Sequence, residues 1–301
     1  MNVRDASFEG IIPAIITPFT SRGEVDEEAF RENIEFLIES GVHGIAVAGS
    51  VGEFFSLATE ERRRLFEIAA SQAKDRIIVL AGTGAITTRE AVELTESACD
   101  LGVDAALVVT PFYIQPDTEG IISHYQAISR AVDIPICLYN LPSRTNVNLT
   151  PAVVDKLADI DNVVAIKESS NDLIQMSEII RLAGDRIKLM VGNDPLLFPA
   201  LMMGAVGCIS PSPNIMGKVV VDMYHYSKSG EAEKAREIQY KICLLRTIYG
   251  LGTFPTAIKE AVNLLGRPGG FPRKPALPLG EKEREKVRRV LTELHLMESR
   301  D

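Results

Sequence analysis

Two kinds of apolar segment alternate along the chain. Eight short runs, rich in Val, Ile and Ala, are apolar on both faces, as strands buried on both sides of a parallel sheet are. They cover residues 11–17, 42–48, 76–81, 103–109, 134–139, 163–167, 187–191 and 206–210. Longer segments between them repeat apolar side chains at helical spacing, at 26–40, 59–74, 87–101, 118–131, 150–158 and 171–183. This alternation predicts the α/β class and, within it, a (β/α)8 TIM barrel.

The pattern changes near residue 230, where the strand-like runs stop. Helical patterns continue at 231–249, 254–265 and 281–297. Residues 266–278 are rich in Pro and Gly, which favours an ordered loop before the last helix. We therefore expect residues 1–229 to form the barrel domain and residues 230–301 to form a C-terminal helical extension packed on it.

The composition excludes several classes of protein. With 301 residues, 46% of them hydrophobic and 24% charged, the chain has ordinary globular usage, which excludes disordered and fibrous classes. No apolar run approaches the ~18 residues that a membrane span needs. The 32 basic and 41 acidic residues give a net charge of −9, which argues against nucleic acid or anionic lipid as a partner.

Cysteine and histidine are too scattered to indicate a disulfide framework or a metal site. The four cysteines form no C-x-x-C pair, and the four histidines form no H-E-x-x-H motif. The first residues lack the apolar core of a signal peptide. We therefore expect a cytoplasmic protein that works without a bound metal.

The reactive groups of parallel barrels stand where the strands end. The predicted strand ends are Thr17, 49–50, 110–113, 139–140, Lys167, 192–193 and 209–210. Lys167 is the most informative of them, because burial disfavours a charged amine and a neutral amine is what attack on a carbonyl requires. The alternative is a lysine that reaches solvent or pairs with an acid such as Glu168. Lys188, by contrast, lies early in its strand and is expected to have no reactive role.

Three further residues at strand ends suit a carbonyl site. The hydroxyl of Tyr139 can carry a proton, and the planar guanidinium of Arg144 can bind a carboxylate. Ser50 lies between two glycines that let the backbone approach a ligand, and amides there can hold an anion. The alternatives are a tyrosine that caps the core, an arginine on a surface loop and a tight strand–helix turn.

Taken together, five segments resemble the pyruvate-dependent class I aldolase family of dihydrodipicolinate synthase and N-acetylneuraminate lyase. In chain order they are GSVGE at 49–53, TPFY at 110–113, YNLPSRT at 139–145, IKE at 166–168 and GND at 192–194. The similarity covers nearly the whole chain, including PGG at 268–270.

The resemblance implies a catalytic group of four residues. Lys167 would form an imine with pyruvate, and no metal or cofactor would be needed. Tyr139 would move protons, and Ser50 and Tyr113 would complete a hydroxyl relay with it. Tyr113 would come from the neighbouring subunit of a tight dimer, and two such dimers would form a homotetramer.

The resemblance also implies how the substrates are held. The amides around Ser50 and Val51 would bind the pyruvate carboxylate, and Gly192 and Ile209 would line the pocket. Arg144 would receive the carboxylate of the second substrate. Small-molecule keto acids and aldehydes are therefore the expected partners.

Departures from the family pattern bear on the substrate. Ser50 and Val51 replace the two threonines that are usual in the synthases, and Asn146 stands where glycine is common. Serine at position 50 resembles the neuraminate lyases, residues 143–145 resemble the synthases, and residues 52–57 resemble the dehydratases of keto-deoxy sugar acids. The positions that bind feedback lysine in some synthases are apolar here, so no inhibition by lysine is expected; they are Phe54, Phe55, Ile86 and Phe112.

These observations favour a lyase or synthase that uses a Lys167–pyruvate imine. A dihydrodipicolinate synthase-like condensation of pyruvate with aspartate semialdehyde ranks first, because of Arg144. The alternatives are an aldolase or dehydratase of 2-keto-3-deoxy sugar acids, an N-acetylneuraminate lyase, and a barrel that binds keto acids without catalysis.

Overall fold

Eight parallel strands form the centre of the computed structural model, which describes residues 8–298. They are β1 (Gly10–Pro13), β2 (Gly44–Val47), β3 (Ile78–Gly82), β4 (Ala105–Val109), β5 (Ile136–Asn140), β6 (Val163–Glu168), β7 (Lys188–Val191) and β8 (Gly207–Ser210). Consecutive strands pair from β2 to β8, and β8 pairs with β1. A single bridge from Ala14 to Ala46 connects β1 to β2 and nearly closes the barrel. The predicted (β/α)8 barrel is confirmed.

Helices surround the barrel and extend beyond it. They are α1 (Glu27–Glu39), α2 (Thr59–Ala73), α3 (Thr88–Asp100), α4 (Thr118–Ala131), α5 (Pro142–Thr145), α6 (Pro151–Leu157), α7 (Leu173–Ala183), α8 (Leu197–Met202), α9 (Pro213–Lys228), α10 (Ala232–Arg246), α11 (Thr256–Leu264) and α12 (Glu281–Glu293). The boundary expected between residues 229 and 230 lies between α9 and α10. No helix within the described range 8–298 is long and apolar enough to cross a membrane.

The apolar pattern did not delimit three of these helices. Both α5 and α8 have six residues or fewer, so neither shows a full helical repeat. The backbone of α9 is kinked at Met216, where φ is −129° and ψ is 48°. A kink rotates the apolar face and breaks its periodicity, so this helix is visible only in the folded chain.

Several helices begin at a residue whose side chain satisfies the first backbone amides. Asp26, Thr87, Asp117 and Asp172 each accept a hydrogen bond from an amide two or three residues ahead. These are the residue types that end a strand–helix loop and start a helix. They determine where each helix begins and therefore how long each active-site loop is.

The two ends of the barrel differ in burial. All residues of β1, β2, β4, β5, β6 and β8 are buried. Lys188 begins β7 and is exposed, whereas Lys167 lies near the end of β6 and is 3% exposed. The helical extension reaches the same end as Lys167, because Gln239 of α10 donates to the carbonyl of Asp194 just after β7, at 3.0 Å.

Candidate active site

Lys167 and Tyr139 lie side by side at the C-terminal ends of two neighbouring strands. They are register partners on β6 and β5, and the Lys167 Nζ lies 3.9 Å from the centroid of the Tyr139 ring. Both side chains are buried. Within residues 8–298, no carboxylate lies within ion-pairing distance of this amine. The Lys167 amine therefore has an aromatic ring beside it and, among the described residues, no carboxylate as an ion-pair partner.

Glu168 is buried, but its carboxylate serves a different part of the structure. It accepts hydrogen bonds from the Asn140 amide at 2.8 Å, the Gln175 amide at 3.2 Å and the Ser170 backbone N–H at 2.6 Å. Successive side chains of a strand point to opposite faces, so Glu168 turns away from Lys167. The alternative in which Lys167 pairs with Glu168 is therefore wrong.

Ser50 belongs to the loop that follows β2 and faces Tyr139. Its Oγ lies 3.5 Å from the Tyr139 hydroxyl, within reach of a hydrogen bond. Gly52 lets this loop fold tightly, because a Cβ there would lie 3.1 Å from backbone atoms of Ala48 and Ile15. The Thr17 hydroxyl donates to the Gly52 carbonyl at 2.8 Å and fixes the loop from β1.

A cavity of about 160 Å³ opens at this end of the barrel. It brings together six of the residues singled out in the sequence, namely Ser50, Val51, Tyr139, Arg144, Lys167 and Gly192. A Cβ on Gly192 would lie 1.7 Å from the Ser169 Oγ and 3.0 Å from its Cβ, so a larger residue here would displace the Ser169 hydroxyl from its position in the cavity wall. The volume of this cavity suits small-molecule ligands.

Arg144 lies on α5 and borders the cavity, where its guanidinium can contact a ligand. This group lies over the Phe254 ring, with 5.5 Å from Cζ to the ring centroid, and across the described residues it makes no ion pair. The residue that ends α5 is Asn146, at a position where glycine is common in the family. Asn146 ends α5 in the left-handed region, with φ at 57°, which glycine adopts freely and asparagine tolerates.

Tyr113 and Ile209 lie outside this cavity. Tyr113 is 91% exposed and points away from the chain that carries it. Ile209 is fully buried within β8, and the cavity wall after that strand is formed by Pro211 instead. The hydroxyl of Tyr113 therefore has no partner among the cavity residues of its own chain.

The sequence reasoning missed several cavity residues, which are Ser169, Asp194, Arg246, Tyr249 and Phe254. Ser169 could have been found, since it lies two residues beyond Lys167 and so on the same face of the chain. Asp194 was quoted only as part of a motif. The other three come from α10 and the segment after it, and their separation in sequence from the strands gave no signal.

Two of the missed residues, Asp194 and Tyr249, have ionisable side chains whose pKa values are raised by burial. Burial raises the pKa of Asp194, while hydrogen bonds from serine and the nearby Arg246 oppose the rise. The Ser212 hydroxyl donates to this carboxylate at 2.7 Å. Burial also raises the pKa of Tyr249 well above its ordinary value. The Tyr249 hydroxyl therefore stays protonated and can act only as a hydrogen-bonding group.

The chain's metal-binding residue types do not gather around the cavity. All four cysteines are free. Among residues 8–298, no three His, Cys, Asp or Glu side chains lie close enough together to hold a metal ion. The groups that border the cavity are an amine, hydroxyls, the guanidinium groups of Arg144 and Arg246, side-chain amides and the carboxylate of Asp194.

Known proteins match both the sequence and the fold. A 4-hydroxy-tetrahydrodipicolinate synthase from Geotalea uraniireducens (strain Rf4) is 43% identical over 290 residues, which are 96% of this chain and 100% of the relative. A protein of the same name from Methanocaldococcus jannaschii is 42% identical over 291 residues, with 96% and 100% covered.

Solved structures agree with these relatives. A dihydrodipicolinate synthase from Aquifex aeolicus superposes with a TM-score of 0.92 at 38% identity, covering 96% of this chain and 99% of its own. A prophage protein of the dihydrodipicolinic acid synthase family from E. coli K12, in complex with pyruvate, gives 0.94 at 33% identity, with 97% and 100% covered. The sequence model of the dihydrodipicolinate synthetase family matches residues 7–294. The chain therefore belongs to the dihydrodipicolinate synthetase family.

Proposed function

We propose that the protein condenses pyruvate with aspartate semialdehyde through an imine on Lys167. The observation that carries the proposal is the buried amine of Lys167, which faces the Tyr139 ring at 3.9 Å in a cavity that also contains Arg144. The relatives named 4-hydroxy-tetrahydrodipicolinate synthase, at about 40% identity over almost the whole chain, support the choice of substrates.

The first half of the reaction forms a nucleophile from pyruvate. The Lys167 Nζ attacks the keto carbon, and loss of water leaves a protonated imine. The imine withdraws electrons, so a methyl proton is lost and a neutral enamine forms. The hydroxyls of Tyr139 and Ser50, 3.5 Å apart, are positioned to pass that proton toward the cavity mouth. Backbone amides at Ser50 and Val51 bind the carboxylate of pyruvate.

The second half forms the carbon–carbon bond. The enamine carbon attacks the aldehyde carbon, and the aldehyde oxygen takes a proton from Tyr139. Arg144 binds the carboxylate of the semialdehyde and so orients its aldehyde toward the enamine. Attack on the imine carbon by the semialdehyde's own amine, or by water, frees Lys167. Because the protonated imine is itself the electron sink, the proposed reaction needs no metal or cofactor.

The proposed assembly is a tetramer built from two tight dimers. The large side chains of Phe55, in the segment after β2, and of Tyr113 and Ile114, in the segment after β4, are all exposed, which is costly unless a second copy covers them. In the dimer, each Tyr113 would reach the partner's relay. Sedimentation velocity should give a tetramer, and Tyr113→Asp should yield smaller species with low activity; a fully active monomer would contradict this assembly.

The proposed setting is the cytoplasm, with small molecules as partners. The free cysteines and the net charge of −9 fit a reducing compartment and small anionic ligands bound by local positive groups.

A second candidate function is cleavage or dehydration of a 2-keto-3-deoxy sugar acid. The observation that favours it is the polar rim of the cavity, where Ser143, Ser169, Asn171 and Asn193 offer hydroxyl and amide groups. Such groups match the hydroxyls of a sugar acid. Turnover of a panel of keto-deoxy acids, compared with turnover of aspartate semialdehyde, separates the two functions.

The deciding experiment traps the imine. Borohydride is added to the protein with pyruvate, and peptides are mapped by mass spectrometry. The expected result is a reduced pyruvate adduct on the peptide that contains Lys167, absent in Lys167→Ala and absent without pyruvate. An adduct followed by turnover of the semialdehyde supports the synthase, whereas no adduct at Lys167 overturns the imine mechanism and favours a barrel that only binds keto acids.

A further inference from the structure

The loop that carries Ser50 and Val51 ends at a buried glutamate. Glu53 is fully buried and sits in the left-handed region, with φ at 53° and ψ at 40°. The loop folds back on itself, because the Glu53 N–H donates to the Ser50 carbonyl and the Phe54 N–H donates to the Gly49 carbonyl, both at 3.3 Å. The position of the Glu53 side chain is therefore tied to the position of the Ser50 and Val51 amides.

The carboxylate of Glu53 is held from the helical extension. It forms a hydrogen-bonded ion pair with Lys259 of α11 and accepts a longer hydrogen bond from the Arg273 backbone N–H at 3.4 Å. The side chains of both Glu53 and Lys259 are almost completely inaccessible to solvent. The pair joins residues that are 206 positions apart in the sequence.

Among the described residues, Lys259 has one carboxylate partner, and its other contacts orient its side chain toward that partner. Its ammonium donates to the Phe271 carbonyl at 2.7 Å and lies 4.3 Å from the centre of the Phe19 ring. Burial lowers the pKa of Lys259 to about 8, and Glu53 opposes the shift. The contact with the Glu53 carboxylate thus favours the charged form of Lys259 against the cost of burial.

We propose that Glu53 and Lys259 are positioning residues that hold the Ser50–Val51 loop in the geometry that binds the pyruvate carboxylate. The inference rests on the proposed function, since it concerns the same pyruvate site. Neither side chain borders the cavity, so both act through the loop. The helical extension thereby has a part in substrate binding although it supplies no catalytic group.

A buried ion pair is a poor way to gain stability alone. Its desolvation is expensive, and replacing both partners with well-packed hydrophobic side chains of similar volume is often neutral or stabilising, whereas removing one partner is strongly destabilising. Glu53→Met and Lys259→Met should therefore each lower the melting temperature, while the double variant, in which both partners are hydrophobic, should recover much of it. If the pair positions the loop, pyruvate binding should remain weakened in the double variant even though its melting temperature recovers.

The test measures imine formation and stability in the same proteins. Borohydride trapping is followed as a function of pyruvate concentration for the wild type, both single variants and the double variant, and melting is followed by circular dichroism. In the double variant we expect half-saturation at about tenfold more pyruvate, with the trapping rate at saturation changed much less. Because the double variant removes both charges, it decides the question even if a single variant fails to fold.

Arg284→Gln is the matched control, because it breaks a different ion pair of the extension. Arg284 on α12 pairs with Glu260 on α11 at 2.6 Å. Glu260 is next to Lys259 in sequence, but this pair makes no hydrogen bond or ion pair with the described residues of the loop after β2. This variant should keep the pyruvate dependence of the wild type. Wild-type half-saturation in the double variant would overturn the positioning role, whereas no trapping in the wild type itself would count against the proposed function instead.

Discussion

The two buried lysines of the described chain differ in their partners, and the proposed function gives the reactive role to the one without a carboxylate. Lys259 has the Glu53 carboxylate, a backbone carbonyl and no access to the cavity. Lys167 has the Tyr139 ring beside it and borders the cavity, and no carboxylate within the described chain pairs with it. Burial alone therefore does not mark a reactive lysine. What marks it is burial without an anion, beside a space that a carbonyl can enter.

Tyr139→Phe tests proton transfer at the residue scale. The ring stays in place against Lys167, so trapping of the pyruvate imine should persist. The condensation rate should fall by about 10²–10⁴-fold, because one positioned acid–base group is lost. Steady-state kinetics with the semialdehyde measures the loss. Tyr240→Phe on the exposed face of α10 is the control and should leave the rate unchanged.

Arg144→Ala tests recognition of the second substrate. The KM for the semialdehyde should rise by about 100-fold, since a charge-assisted bidentate contact is lost. Borohydride trapping with pyruvate should be unaffected. Arg144→Lys keeps the positive charge but lacks the planar guanidinium, so its KM for the semialdehyde should lie between those of the wild type and Arg144→Ala. If trapping and condensation fall equally in Arg144→Ala, the role assigned to this arginine is wrong.

At the scale of elements, separate strand–loop–helix units bring different parts of the candidate site. The loop after β2 supplies Ser50, β5 supplies Tyr139 and β6 supplies Lys167, while the caps of the following helices set the loop lengths. The outer layer is held together by packing between neighbouring helices. One contact in that layer contains a histidine: the Thr88 hydroxyl at the start of α3 lies 3.0 Å from the Nδ1 of His124 on α4.

His124 predicts an acid sensitivity of the fold. Burial lowers the pKa of His124 to about 4, against about 6.5 in the unfolded chain. Between these values the unfolded chain binds a proton that the folded chain does not, so the free energy of unfolding falls as the pH falls from 6.5 to 4. The expected loss is about 3 kcal/mol.

Urea unfolding of the wild type and of His124→Gln at pH 7 and pH 4.5 measures this effect. Most carboxylates contribute equally to both proteins, so the difference in their pH dependence isolates the histidine. The variant should lose less stability on acidification. The same loss in both proteins would show that the buried imidazole is not the cause.

At the scale of the whole molecule, the helical extension is part of the active site. It brings Arg246, Tyr249 and Phe254 to the cavity and Lys259 to the loop after β2. The outside of that loop bears an aromatic cluster, in which the Phe54 ring makes edge contacts with Phe55 at 5.8 Å and Phe112 at 5.6 Å. This cluster occupies the positions that bind feedback lysine in some relatives of this family.

We predict from the aromatic cluster that lysine does not inhibit the protein. Free lysine carries an ammonium and a carboxylate at its α-carbon, and aromatic hydrocarbon edges offer those groups no hydrogen bonds. Steady-state rates should therefore be the same with and without millimolar L-lysine, at both low and saturating pyruvate. Saturable inhibition by lysine would contradict this prediction.

The sequence by itself determined the strands, the barrel and the residues at the strand ends. A run that is apolar on both faces is a local property, and strand ends in a barrel meet at one edge, so Ser50, Tyr139 and Lys167 could be grouped without coordinates. Arg144, Val51 and Gly192 depended on the resemblance to a known family as well. Their presence in one cavity agrees with that grouping.

Only the tertiary structure decided which distant segments close the site. Nothing in the periodicity of α10 or α11 indicates that Tyr249 borders the cavity or that Lys259 meets Glu53. Those contacts depend on how the extension packs across the barrel mouth. The partners of Glu168 were also decided by the fold. The sequence allowed it to pair with Lys167, but in the structure its carboxylate accepts hydrogen bonds from Asn140 and Gln175. Local patterns specify elements, whereas pairing between charges more than 200 residues apart is specified by packing alone.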